Sequence, residues 1–231
     1  MKKICIIPAR VGSKRIPKKN IKEFYGKPII AYSIELAINS NLFDEIMVST
    51  DDIEISNISK KYGASVPFMR SKNNSNDKAT TADVLIEVLL KYEEQKINFD
   101  LGCCIYPTTP LLNIQKLTEG FQLLKKENYN SVISALGYGH PIQRAFSIGP
   151  NQEIQMNFSE NEFKRTQDFQ NFYHDAGQFY WFNKDLLMKS KSLLDGKVGT
   201  VIMNELETQD IDTITDWKLT ELKYKLKNNE I

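Results

Sequence analysis

The sequence predicts an α/β fold built on a mostly parallel, doubly wound sheet, on three observations. Short apolar runs alternate with segments of helical period at intervals of about 25 to 30 residues, the rhythm of repeated strand and helix units. The first run, Lys3 to Pro8 (KICIIP), is continuously apolar rather than alternating, as expected of a strand covered on both faces. The chain of 231 residues is 41% hydrophobic and 26% charged, enough to fill one core, so residues 1–231 are read as a single domain.

The elements follow in order. Between Pro28 and Ser40, Ile29, Ile30, Tyr32, Ile34, Ala37 and Ile38 recur at helical spacing, with Pro28 suited to a first turn. Glu45 to Ser49 is a second strand, and Asp52 to Lys61 a helix whose Tyr62-Gly63 end reads as a C-cap. Ser65 to Met69 is expected to be a third strand, leading into a polar loop from Arg70 to Lys78 and a helix from about Ala82 to Glu93. Leu101 to Tyr106 and Ser131 to Leu136 are further strands on either side of a helix from Asn113 to Lys126. The rhythm breaks from Gly137 to Gly177, a stretch of Gly, Pro, Gln, Asn and scattered aromatics, expected to leave the sheet as short antiparallel strands. It resumes with strands at Gln178 to Phe182 and Val198 to Met203 and a last helix from Thr213 to Lys227, whose lysines are read as a solvated end. Ligands of such sheets bind beyond the carboxyl ends of the strands.

Composition narrows the function. Thirty Lys and Arg against 29 Asp and Glu leave a net charge of +1, so no global field favours nucleic acid or an anionic membrane surface. No apolar run approaches the length of a membrane span, and Arg10 interrupts the start before a signal-peptide core can form; a cytoplasmic location is expected. Cys5, Cys103 and Cys104 sit in strand-like runs and are expected to be reduced core residues. With two histidines and no zinc-type spacing, structural zinc is not expected.

Charge is concentrated instead. Arg10, Lys14, Arg15, Lys18, Lys19, Lys22 and Lys27, with Glu23 the single acid among them, give residues 10–27 a charge of +6 and leave the rest of the chain at −5. Placed directly after the first strand, with Gly12 and Ser13 exposing backbone amides, this loop suits a polyphosphate. It has neither the P-loop nor the dinucleotide glycine spacing.

The stretch IIPARVGSKRIPKKN, the strand ending Val48-Ser49-Thr50-Asp51, the segment Tyr106-Pro107-Thr108-Thr109-Pro110 and the late Thr208-Gln209-Asp210-Ile211-Asp212 resemble, in order and across nearly the whole chain, the cytidylyltransferases that activate nonulosonic acids, the CMP-sialic acid synthetase family. The resemblance implies a Rossmann-like nucleotidyltransferase fold, CTP as nucleotide, Mg²⁺ as cofactor and a homodimer whose protruding segment, residues 137–177, reaches the neighbouring active site. It also implies roles. Arg10, Ser13 and Lys14 would hold the triphosphate, Lys19 would lie against the α-phosphate and act with Arg10 on the reacting group, and Asn20 would help to read cytosine. Arg70, followed by Asp77, Ala79 and Thr81, corresponds to a second base-reading segment.

Asp210 and Asp212, two apart on an extended segment, share one face and suit Mg²⁺, which takes hard oxygen ligands. Asp212 could equally cap the helix from Thr213, and one member of the Asp51-Asp52 pair is expected to cap the helix from Ile53. On the sugar side, Tyr106 stands where many sialic acid synthetases carry Gln. The run Tyr173-His174-Asp175-Ala176-Gly177-Gln178-Phe179-Tyr180-Trp181 resembles the family branch acting on pseudaminic acid. Tyr106, Tyr173, His174 and Gln178 are therefore candidate sugar contacts, with Arg144 or Arg165 available for the carboxylate. Phe146, Phe158, Phe163, Phe169 and Phe172 are more aromatics than one core would absorb, which points to an interface. N-acetylneuraminic or legionaminic acid, and an NDP-sugar nucleotidyltransferase acting on a sugar 1-phosphate, remain the alternative readings.

Overall fold

The computed structural model describes residues 1–229. Six strands form the main sheet: β1 (Lys3–Pro8), β4 (Glu45–Ser49), β5 (Leu101–Ile105), β6 (Ser131–Gly137), β9 (Tyr173–Asn183) and β10 (Val198–Ile202). Their order is β10-β6-β9-β5-β1-β4. β1 runs parallel to β4 and β5, and β6 parallel to β10, while β9 is antiparallel to both its neighbours. Two hairpins stand apart, β2 (Glu23–Phe24) with β3 (Lys27–Pro28) and β7 (Phe146–Ile148) with β8 (Ile154–Met156).

Alternation along the strands builds two cores. Cys5, Ile7, Cys103, Phe179 and Trp181 point to one face, against α1 (Ile29–Asn39), α2 (Ile53–Lys61) and α4 (Ile114–Glu127). Ile4, Ile6, Cys104, Tyr180 and Phe182 point to the other, against α3 (Thr81–Glu94) and α5 (Lys184–Ser190). The three cysteines are free and buried. Trp181 donates its indole N–H to the Leu117 carbonyl at 2.9 Å, and a Cβ on Gly120 would lie 2.9 Å from the same ring, so α4 can approach β9 only with glycine there. A third cluster, Ile16, Phe24, Ile29, Ile211 and Trp217, ties the basic loop to α6 (Ile214–Lys227).

Side chains start the helices where the sequence offers them. Asp52 accepts from the Ile55 amide at 2.9 Å, Asn113 from Lys116 and Asn183 from Leu186, and α3 and α6 open with the capping boxes Thr80/Asp83 and Thr213/Asp216. Pro28 is the residue before α1, in an extended conformation. Tyr62 ends α2, followed by Gly63 at φ +95°.

Several expectations are corrected. Ser65 to Met69 is no strand: only Ser65 bridges to β4, and Pro67, lacking an N–H, cannot extend a ladder. The strand expected from Gln178 starts at Tyr173, so the excursion ends five residues earlier, at Phe172. α5 was not foreseen, being too short for a period to appear in its sequence. The terminal lysines are not simply solvated, because Lys223 donates to the Thr208 carbonyl at 2.9 Å and Lys227 to the Leu111 carbonyl at 2.7 Å. No helix among the described residues is long and apolar enough to cross a membrane.

Candidate active site

A cleft of about 610 Å³ opens over the carboxyl ends of β1 and β5, which are neighbours in the sheet. One side is the loop after β1. Arg10, Gly12, Ser13, Lys14, Arg15, Lys19 and Asn20 all line the cleft. The loop is anchored below by Ile16, 1% exposed in the third apolar cluster, and by Asn20, whose side-chain N–H₂ donates to the Arg10 carbonyl at 2.9 Å. Phe24 packs edge-on against Tyr32, Trp217 and Tyr224, holding the hairpin that follows against α6. Buried apolar anchors thus leave the cationic groups at the surface in a set geometry.

Four of the cations pair with two acids. Asp77 receives both Arg10, at 2.5 Å, and Lys14, at 2.7 Å; hydrogen bonds from Lys14 and then Arg10 hold its carboxyl down at about 2. Asp212 receives Arg15 at 2.8 Å and lies 3.7 Å from Lys19, whose ammonium also donates to the Ile211 carbonyl.

The opposite wall is the segment from Arg70 to Thr81, which contributes Arg70, Asn74, Asn76, Asp77, Ala79, Thr80 and Thr81 to the lining. Arg70 is 8% exposed and donates through Nε to Ser49 Oγ at 3.0 Å and through Nη2 to the Ser49 carbonyl. Burial pulls its pKa down, against the opposing charges of Asp51 and Glu87. Asn76 folds the chain back by accepting from the amides of Lys78 and Ala79.

Asp210 and Asp212 both line the cleft, beside the basic loop. Neither caps α6. Thr213 is the N-cap and Asp216 completes its box, a pattern legible in Thr213-Ile214-Thr215-Asp216 that frees Asp212 for the cleft. Desolvation, and next the Asp212 charge, raise the Asp210 pKa. Among the described residues no three acidic, His or Cys groups cluster in a way that could enclose a cation. Asp210 and Asp212, two carboxylates beside a cationic loop, are hard oxygen donors that would suit Mg²⁺. The other acid pair divides: Asp52 caps α2, and Asp51 accepts from the Val11 amide at 3.2 Å.

The candidate sugar residues scatter. Tyr106 lines the cleft, its hydroxyl 2.8 Å from Thr81 Oγ1 and its ring 5.3 Å from that of Tyr180. Gly177 at φ +61°, a conformation that favours glycine, carries the β9 backbone beside both Asp210 and Tyr106. Gln178 is buried beneath, donating to the Ala176 carbonyl while its Oε1 has no protein partner. Arg144, Arg165, Tyr173 and His174 do not line the cleft of their own chain. Arg144 donates to the Lys164 carbonyl, Arg165 pairs with Asp168 at 3.1 Å, and His174 Nδ1 lies 2.9 Å from the Asp175 carbonyl. The Asp175 carboxylate is engaged elsewhere, accepting from the Tyr180 hydroxyl and the Gly177 amide.

A sheet of this topology, with a cationic loop at the strand ends facing a carboxylate pair, defines a nucleotidyltransferase. The profile described as "Cytidylyltransferase" matches residues 4–226, and the chain belongs to that family. It is 40% identical to the pseudaminic acid cytidylyltransferase of Campylobacter jejuni subsp. jejuni serotype O:2 over 235 residues, covering 99% of this chain and 98% of the relative. It is 31% identical to the CMP-N,N'-diacetyllegionaminic acid synthase of Legionella pneumophila subsp. pneumophila over the full length of both. Among solved structures, a CMP:2-keto-3-deoxy-manno-octonic acid synthetase complexed with CTP shares the fold, with a TM-score of 0.71 over 100% of both chains at 18% identity.

Proposed function

We propose that this chain transfers CMP from CTP to the anomeric hydroxyl of a nonulosonic acid, pseudaminic acid, with release of pyrophosphate, acting as a Mg²⁺-dependent homodimer. The observation that carries the reading is the convergence of Arg10, Lys14, Arg15 and Lys19 on a cleft that Asp210 and Asp212 line beside them. The sugar assignment draws support from the 40% identity to a pseudaminic acid cytidylyltransferase over almost the whole of both chains.

In this reading Arg10, Ser13 and Lys14 bind the β- and γ-phosphates, and Lys19, half withdrawn from solvent, faces the α-phosphate. Asn20, Arg70 and the backbone from Ala79 to Thr81 read cytosine. Asp210 and Asp212 hold Mg²⁺, which when bound neutralises charge on the triphosphate. The sugar hydroxyl oxygen forms a bond to the α-phosphorus as the bond to the bridging oxygen of the β-phosphate breaks; the hydroxyl proton is released and pyrophosphate departs. Positioning and positive charge supply the acceleration, each cationic contact contributing about 2 to 4 kcal/mol in the transition state by analogy with single oxyanion donors. Tyr106, Tyr173, His174 and Gln178 are assigned to the sugar, with Arg144 or Arg165 meeting its carboxylate. Arg144, Arg165, Tyr173 and His174, which do not line the cleft of their own chain, are on or beside the protruding segment and would serve the neighbouring subunit, while Gln178 lies beneath the cleft.

The test is a matrix of CTP, UTP, ATP and GTP against pseudaminic, legionaminic and N-acetylneuraminic acids and sugar 1-phosphates, followed by pyrophosphate release and product mass. CTP with pseudaminic acid is expected to exceed CTP with N-acetylneuraminic acid at least about tenfold in kcat/KM, a preference of roughly 1.4 kcal/mol. Equal efficiency with two acids would remove the sugar assignment; turnover only with sugar phosphates would remove the reaction.

A further inference from the structure

The wall that carries Arg70 has little backbone support from the sheet. Its approach, from Ser65 to Met69, touches β4 through a single bridge, and beyond Arg70 the chain forms only a short 3₁₀ turn, Lys72–Asn74. Its attachment comes from α3. Glu87, whose side chain is 12% exposed, accepts from the Ser71 amide at 2.7 Å, from Ser71 Oγ at 2.8 Å and from Asn74 Nδ2 at 2.6 Å. Lys91, one turn on, lies 2.7 Å from the same carboxylate and donates to the Met69 carbonyl at 2.7 Å. Residues on both sides of Arg70 are thereby gathered onto one ion pair, and Arg70 itself is held from the far side by Ser49 and by its amide bond to the Thr50 carbonyl.

Glu87 does not line the cleft. A Glu and Lys four residues apart on a solvated helix face would need none of these bonds, and taking a carboxylate largely out of water is costly unless donors surround it. Here they do. Although desolvation raises its pKa, bonds from Lys91, Ser71 and Asn74 outweigh that and bring it down to about 2.

We propose that Glu87 is a positioning residue that sets the nucleobase side of the cleft, acting through Ser71 and Asn74 on the placement of Arg70. The inference rests on the reading of that wall as the cytosine side. Base discrimination depends on donors and acceptors meeting one edge of a ring, and it is lost when the wall shifts by a fraction of an ångström. Phosphate binding is provided by the loop after β1, to which Glu87 makes no bond; that loop meets the wall at Asp77, three residues beyond Asn74, the last residue that Glu87 holds.

The experiment compares the wild-type enzyme with Glu87→Gln, which keeps the size of the side chain but replaces one acceptor oxygen by a donor among donors. Steady-state kinetics with CTP and UTP are paired with calorimetric affinities for CTP and for inorganic tripolyphosphate. The ratio of kcat/KM for CTP to that for UTP is expected to fall at least about tenfold, mainly through KM for CTP. kcat should stay within about threefold and tripolyphosphate affinity should be unchanged. An unchanged ratio, or equal weakening of CTP and tripolyphosphate, overturns the proposal. Lys91→Met keeps the Glu87 carboxylate but removes its ammonium partner and frees the Met69 carbonyl; it should move the ratio in the same direction by about threefold. It decides the matter if the first variant does not fold, an unchanged ratio again overturning the proposal. A wild-type enzyme with no preference for CTP would instead remove the underlying assignment of the wall, a result visible before any variant is made.

Discussion

Residues 70–81 and residues 138–172 both leave the sheet, yet they are finished in different ways. The first segment is polar and its side chains find partners in the same chain: Ser71 and Asn74 on Glu87, Asp77 on Arg10 and Lys14, and Thr80 on Asp83. The second also pairs polar side chains within itself, such as Ser147 with Asn157 and Arg165 with Asp168, but its apolar side chains are left outside any core. Phe146 is 53% exposed, Ile148 67%, Ile154 65% and Phe163 92%, and the β7–β8 hairpin contributes nothing to the three cores. Polar groups can be satisfied by a handful of directed bonds, whereas apolar area is satisfied only by another surface. The wall segment is therefore satisfied within one chain, while residues 138–172 leave apolar area that only another surface would cover.

The largest effect tests the cleft. Replacing Asp210 or Asp212 by Ala is expected to lower kcat by more than about a hundredfold with the melting temperature preserved, because Thr213 and Asp216 cap α6 without them. Near-normal rates in either variant would show that the pair has no part in the reaction. The protruding segment comes next. Light scattering at micromolar concentration should find a dimer, and the double change Phe146→Ser with Phe163→Ser should weaken self-association at least about tenfold while leaving the fold intact. A monomeric wild-type protein would break the contrast between the two segments.

The smallest effect sharpens the first half of the comparison. The Glu87 carboxyl is held at about 2 in the folded chain against an ordinary value of 4.5, so its contribution to stability is fully present above about pH 4.5 and is lost as the pH falls through 2. The gap in melting temperature between wild type and Glu87→Gln should accordingly be constant near neutrality and close progressively below pH 4.5. A gap that persists to pH 2 would mean that the charge is not what binds Ser71 and Asn74.

The sequence carries these two segments unequally. The break in rhythm after Gly137 and the excess of aromatics mark the protruding segment plainly, since exposed apolar residues violate an expectation. The buttress of the cleft wall is hidden, because Glu87 and Lys91 have the spacing of an ordinary surface pair and only the fold brings Ser71, Asn74 and Met69 to them. Strand direction is hidden for a similar reason. A strand buried on both faces reads the same in either orientation, and β9 shows its antiparallel course only through its pairing with Cys103 and Val132 around Trp181. The cationic loop and the acid pair were legible because their charge stands out against neighbours that must be apolar or neutral. Asp212 faces the cleft rather than capping the helix because its neighbour Thr213, with Asp216 three residues further on, takes the capping place.

Asp77 gives the cleft an ionic occupant of its own. Arg10 and Lys14 are not waiting in bulk water for an anion, since both already hold a carboxylate. A polyphosphate entering on that side exchanges partners rather than adding them, and only the difference between two anions, each screened by the same salt, reaches the measured affinity. The cleft should thus weaken with ionic strength less steeply than its number of cations suggests. In return the two side chains are gathered on one carboxylate between turnovers, so part of the entropy of ordering them is met at folding and not again with each substrate.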